Sequence, residues 1–203
     1  GAVDIAMHTI ERYFCPGEDT YLTDSIAEAV IKSTRKAAFD CMKNPDDYTA
    51  RANMMWASSL AHNGLTQCGR EFQLVVHQFE HELSGMYPKI AHGAGLAALW
   101  CSWARYVYKA NISRWLQYSA NVWNLDIDYE HPEKTIEEAI NLQEQYYVSL
   151  GTPIGLKALG VEEASLTKLA LNCSRNKTRT LTGYKPLAYD DILAIYQMAY
   201  ERG

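Results

Sequence analysis

No stretch of this chain keeps up an alternation of apolar and polar residues, whereas apolar residues recur at helical spacing almost from end to end. A chain patterned this way can bury its apolar surface as packed helices but not as sheet faces, so the expected fold is all-α. Ile26, Ala27, Val30, Ile31, Ala37 and Ala38 predict a helix over 23–41. Asn44, Pro45, Asp46 and Asp47 read as a cap, a proline at the first helical position and acids in the first turn. That helix is expected to run through RANMMWASSLAH and stop at Asn63-Gly64. Further helices are predicted over 70–84, 95–108, 113–123, 135–150, 166–173 and 188–200. The segment 95–108 is apolar nearly all round and should be buried, and Thr135 with Glu138 reads as a capping box. The opening segment GAVDIAMHTIERYF looks like a helix already under way with no capping residue before it, an expectation that another domain precedes Gly1.

With 203 residues, 48% of them hydrophobic, the chain has enough material for one sizeable core, or at most two small ones. Residues 1–203 are therefore expected to form a single helical domain. A formal net charge of -5 and the lack of any basic run argue against nucleic acid as a partner. No apolar stretch approaches the length of a membrane span. The five cysteines, Cys15, Cys41, Cys68, Cys101 and Cys173, are odd in number, dispersed and free of any CxxC pair. Such usage suits free thiols in a reducing, cytoplasmic setting and makes cysteine a poor candidate for a metal ligand.

The chemistry concentrates in residues 77–97, HQFEHELSGMYPKIAHGAGLA, which hold three of the six histidines. His77 and His81 are four apart and share a helical face, and by that spacing alone they would be joint ligands. His92 lies beyond the Tyr87-Pro88 interruption, ahead of a small-residue turn, Gly93-Ala94-Gly95. Any one of these histidines is an ordinary packing or capping residue on its own, but three together favour a metal site. Asp4 and His8 form a second i, i+4 pair, a carboxylate above an imidazole on one helical face, equally readable as a surface contact. His62, at a predicted helix C-terminus, reads as structural because a partial positive charge there complements the helix dipole.

The segments VDIAMHTIERYF, RANMMWASSLAHNG, HELSGMYPKIAHGAGLA and TLTGYKPLAYDDILAIYQMA together resemble the C-terminal helical domain of the iron-containing alcohol dehydrogenases, which share the dehydroquinate synthase-like fold. They look most like the NAD(P)H-dependent butanol dehydrogenase branch. The resemblance implies that Asp4, His8, His77 and His92 hold Fe2+, with Zn2+ as the alternative. It places His81 near the metal and nicotinamide, in a proton-relay or positioning role, and Asn63 and Gly64 near the pocket. The stretch between His81 and His92 looks one residue longer than the family pattern, around 87–90. The implied reaction is hydride exchange between NAD(P)H and a small alcohol or aldehyde whose oxygen the metal polarises. In this family an N-terminal α/β domain carries most of the dinucleotide site, and a homodimer is plausible. No Gly-rich turn between a strand and a helix occurs in the sequence, so the chain is expected to supply the metal half of the site and to be inactive alone. Two other readings are an all-α metallohydrolase with Glu11, Glu80 or Glu82 as base, and a helical interaction module without catalysis. Against the former, no HExxH spacing follows His81-Glu82.

Overall fold

The computed structural model describes residues 1–17 and 19–202. Among them are nine α-helices: α1 (Ala2–Tyr13), α2 (Tyr21–Lys43), α3 (Tyr48–His62), α4 (Val75–Met86), α5 (His92–Val107), α6 (Ile112–Trp123), α7 (Pro132–Ser149), α8 (Leu166–Cys173) and α9 (Tyr189–Glu201). No strand occurs among the described residues, only the isolated bridges Gly17–Arg70 and Leu181–Leu187. The all-α expectation holds. No described helix is long and apolar enough to cross a membrane.

The reason for the architecture is α5. Leu96, Ala97, Ala98, Leu99, Trp100, Cys101, Ser102 and Ala104 are all fully buried, so no side of that stretch meets water. A helix apolar around its whole circumference has to be enclosed, and α1, α4, α7 and α9 pack against it. Trp100 meets Trp103, Trp115, Tyr118 and Tyr147 in an aromatic cluster with ring centroids 6.1–6.5 Å apart, within the range favoured for tilted and edge contacts. One continuous core draws on α1, α2 and every helix from α4 to α9. Helix α3 instead closes a smaller cluster in which Ala57 and Ala61 meet Ile5 and Val30.

Several predicted boundaries move, each for a tertiary reason. Asn44 ends α2 rather than capping α3: its side chain accepts from the Asp46 amide at 3.1 Å, and Asp47 is the cap, accepting from the Ala50 amide at 3.0 Å. Pro45 therefore lies in the connection and not at the first helical position. Helix α4 begins at Val75, not at 70, because the preceding backbone is engaged with the end of α1, the Glu71 amide donating to the Pro16 carbonyl at 2.9 Å. Helix α5 begins at His92 itself. The expected Gly-rich turn is its first turn, with the Ala94 and Gly95 amides donating to the Ala91 carbonyl at 2.8 and 3.1 Å. Helix α7 opens one turn early with Pro132 at its start, and Thr135 spends its hydroxyl on the Asp128 amide at 3.0 Å instead of capping.

The end of α1 shows how charge is buried here. Arg70 and Arg114 both reach the last carbonyls of that helix. Arg70 donates to the Arg12 carbonyl at 2.9 Å and the Tyr13 carbonyl at 2.6 Å, and Arg114 donates to the Tyr13 carbonyl at 2.8 Å. These are the orphan acceptors of a helix C-terminus, where cations are also favoured by the dipole. Both guanidinium groups lie over the Tyr13 ring, and Asp24 pairs with both.

The thiols give a simple check on this packing. Cys15, Cys101 and Cys173 are buried, and burial pushes each thiol up to about 12, whereas Cys68 is exposed and Cys41 half-buried. Since the thiolate is the reactive form, a thiol reagent at mildly alkaline pH should label Cys68 first and Cys41 more slowly. The other three should react only after denaturation. Mass mapping of the labelled cysteines over time would show it, and early labelling of Cys101 would contradict the enclosed α5.

Candidate metal centre

Three helices bring the predicted residues together. Helix α1 carries Asp4 and His8 one turn apart, α4 carries His77 in its first turn and His81 one turn later, and α5 starts on His92. Asp4 is the hub. Its Oδ1 lies 3.5 Å from His8 Nε2, 3.3 Å from His77 Nε2 and 3.5 Å from His92 Nε2. Donors at roughly 2.0–2.2 Å around a tetrahedral ion stand about 3.3–3.6 Å from one another. Asp4, His8 and His77 thus cluster at the spacing a small divalent cation needs, and His92 reaches the same carboxylate oxygen; a carboxylate with imidazoles is the ligand chemistry of iron or zinc. The side chain of His77 forms the floor at 2% exposure, while those of Asp4 and His92 stand at the open side at 31% and 37%.

His81 is not part of that convergence. It is exposed, with its ring centroid 5.9 Å from those of both His77 and His92, and it stacks nearly parallel to His92. The i, i+4 reading that would join His77 and His81 as ligands does not match this placement. A helical face covers a wide arc, and the packing of α1 against α5 brings the Asp4 hub to the His77 side of it. Glu80, His81 and His92 do form a second group of clustered donor atoms. However, Glu80 already contacts the Nδ1 of His92 directly, so these two are partners of each other rather than co-ligands.

Behind the candidate ligand face, two carboxylates stand against imidazoles from the rear. Glu11, 3% exposed, contacts His77 Nδ1 with Oε2, and its Oε1 accepts from the Val76 amide and, at 3.4 Å, from the His77 amide. It therefore caps the start of α4 from another helix while orienting the ring. Glu80 Oε2 lies against His92 Nδ1, without the aligned hydrogen bond that Glu11 makes with His77. Neither acid is available to activate water, which removes two of the three bases of the metallohydrolase reading. Burial would raise the Asp4 carboxyl, but the hydrogen bond from His77 and the nearby His8 and His92 outweigh it and hold Asp4 below its ordinary value. Burial lowers His8 to about 3, helped by its neighbours His77 and His62. Burial also works against a proton on His77, but Asp4 and Glu11 override it and raise that ring to about 9.

Spacing along the chain missed two things. The His62 ring centroid lies 3.9 Å from that of His8, so the end of α3 and the Asn63-Gly64 turn adjoin the centre. Gly64 takes a left-handed φ of 86°, which is why glycine suits that stop. The two rear carboxylates were legible only as acids three residues after a candidate ligand histidine, Glu11 after His8 and Glu80 after His77.

Comparison with known proteins gives the family. Residues 1–200 match the family model "Fe-containing alcohol dehydrogenase family, C-terminal". The chain belongs to the iron-containing alcohol dehydrogenase family. It is 38% identical over 201 residues to NADH-dependent butanol dehydrogenase A of Clostridium acetobutylicum, covering 98% of this chain and 51% of that protein. Butanol dehydrogenase B of the same organism is 37% identical over 199 residues, covering 97% and 50%. The crystal structure of NADH-dependent butanol dehydrogenase A from Thermotoga maritima superposes with a TM-score of 0.90 at 31% identity, covering 98% of this chain and 51% of that one. The chain thus spans about half the length of the relatives it matches.

Proposed function

We propose that this chain supplies the metal-holding half of an NAD(P)H-dependent alcohol dehydrogenase of the butanol dehydrogenase kind, acting on small alcohols and aldehydes. The observation that carries the reading is the convergence of three imidazole Nε2 atoms on Asp4 Oδ1 at 3.3–3.5 Å. Asp4, His8, His77 and His92 would hold Fe2+, or Zn2+ in its place. The bound ion acts as a Lewis acid, polarising the substrate oxygen and stabilising the charge that develops on it. The chain's own residues do the rest. Asp4 lowers the net charge of the centre, and Glu11 keeps His77 in one orientation. The exposed side at Asp4 and His92 is where a substrate oxygen enters. His81, at that rim, is the catalytic residue that passes a proton to or from the substrate oxygen, a role suited to imidazole.

The nicotinamide cofactor is held mainly by an N-terminal nucleotide-binding domain, in keeping with the half-length match to the relatives. Residues 1–203 act as one helical unit, expected to be inactive without that partner, at work in the cytoplasm and as a homodimer. No observation favours the hydrolase reading now that Glu11 and Glu80 are engaged with imidazoles. An anaerobic Fe(II) titration tests the ligand set. Binding should be one to one, persist in His81→Ala within a few-fold, and weaken by more than about 100-fold in His92→Ala, beyond the effect typical of an outer partner. Loss of binding in His81→Ala would overturn the assignment.

A further inference from the structure

Glu80 poses a problem that helix packing does not answer. It is fully buried, yet no Lys or Arg among the described residues pairs with it. A buried carboxylate without a compensating partner is strongly disfavoured. Its Oε1 accepts from the Ser84 hydroxyl at 2.5 Å, and its Oε2 lies against His92 Nδ1 but makes no hydrogen bond among the described residues. Glu11 has helix capping to explain its burial, but Glu80 has no such duty. The helix facing it has also been cleared to admit it. A Cβ on Gly95 would stand 2.8 Å from Glu80 Oε1 and 2.9 Å from its Cγ, closer than real Cβ contacts come. Gly95 has ordinary helical backbone geometry, so space and not conformation is what glycine provides here.

His92 lies between two carboxylates, with Glu80 at Nδ1 and Asp4 Oδ1 3.5 Å from Nε2. A neutral imidazole carries one proton, and only the nitrogen without it can ligate a metal. Resting on the metal-centre reading above, we propose that Glu80 is the positioning residue of His92. By accepting the Nδ1 proton it outcompetes Asp4 for the ring and leaves the Nε2 lone pair facing the centre. Gly95 is the residue whose missing side chain makes that carboxylate fit.

The test uses Glu80→Ala, Glu80→Gln, Gly95→Ala and the double variant Glu80→Ala/Gly95→Ala, each compared with the unmodified chain. In the metal-free protein at alkaline pH, ring 15N shifts report which nitrogen of His92 is protonated. The unmodified chain should show the Nδ1–H form, and Glu80→Ala and Gly95→Ala should move it toward Nε2–H. Zn(II) affinity by chelator competition should weaken about 10–100-fold in Glu80→Ala and in Gly95→Ala, the range for outer partners of ligand histidines. Glu80→Gln, which keeps an acceptor, should lose less. The double variant should bind no worse than the weaker single one, because both changes remove the same contact. Circular dichroism melting of the metal-free forms separates this from loss of fold, and Glu80→Gln and Gly95→Ala carry the test if Glu80→Ala does not fold. An Nε2–H tautomer in the unmodified chain, or Zn(II) affinity in Glu80→Ala within about twofold of unmodified, overturns the proposal. If the unmodified chain binds no Zn(II) or Fe(II) but the tautomer still responds to Glu80→Ala, the metal-centre reading falls and the control of His92 by Glu80 stands.

Discussion

Asp24→Ala is expected to lower the unfolding free energy of this chain by about 3–5 kcal/mol, the usual cost of removing one partner from a buried charge network. Asp24 is 6% exposed and sits between two arginines. Arg114 grips it with both terminal nitrogens, Arg70 contacts its Oδ1, and the Gln117 amide donates to it at 2.9 Å. Without the carboxylate, two guanidinium groups stacked on the same tyrosine ring face each other with no anion between them. Arg70 already feels this: burial and the charge of Arg114 depress it to about 10 even with Asp24 present. Typical domains have only about 5–15 kcal/mol in total, so the loss would be a large share of the whole. Urea unfolding should show a lower midpoint at unchanged slope, and Asp24→Asn, which keeps an acceptor, should fall in between. A shift in Asp24→Ala below about 1 kcal/mol would show that water reaches the arginines and relieves them.

The second large effect is at the hub of the proposed metal centre. Asp4→Ala removes the one atom from which three imidazole nitrogens are all within 3.5 Å. Metal affinity is expected to fall by more than about 100-fold, beyond the range for outer partners, because the proposed ligand set loses its carboxylate and the negative charge it carries. The fold should be little affected, since the Asp4 side chain is about one-third exposed. His131→Ala is the matching control: that ring is half-exposed at the start of α7 beside Glu133 and belongs to neither cluster of candidate donors. Chelator competition with Zn(II) on the three proteins would settle the point. Equal affinities for Asp4→Ala and the unmodified chain would mean that the histidines alone hold the ion, or hold it elsewhere.

Helical class was legible because period 3.6 is a local property: each helix displays it whatever it packs against. The same locality made the α1 and α4 residues visible, since Asp4 with His8 and His77 with His81 are pairs within single helices. What stayed hidden were the relations between helices. Glu11 and Glu80 read as free acids because the rings they hold are supplied by other segments, 66 and 12 residues away along the chain. His62 read as a helix-end residue because its neighbour His8 is on α1. Boundaries shifted for the same reason: the predicted start at 70 gave way when the residues ahead of α4 found partners at the end of α1.

By itself, then, the sequence determined an all-α chain, the burial of α5 and the residue types able to hold a divalent metal. Spacing along the chain did not say which of two histidines on one helical face turns toward Asp4; the family resemblance named His77, and the packing in three dimensions gives the physical reason. Only the tertiary structure revealed the two acids that stand behind the candidate ligands and the glycine that makes room for one of them. Side-chain spacing sets what a helix can present, but the enclosure of α5 by its neighbours sets which of those groups meet.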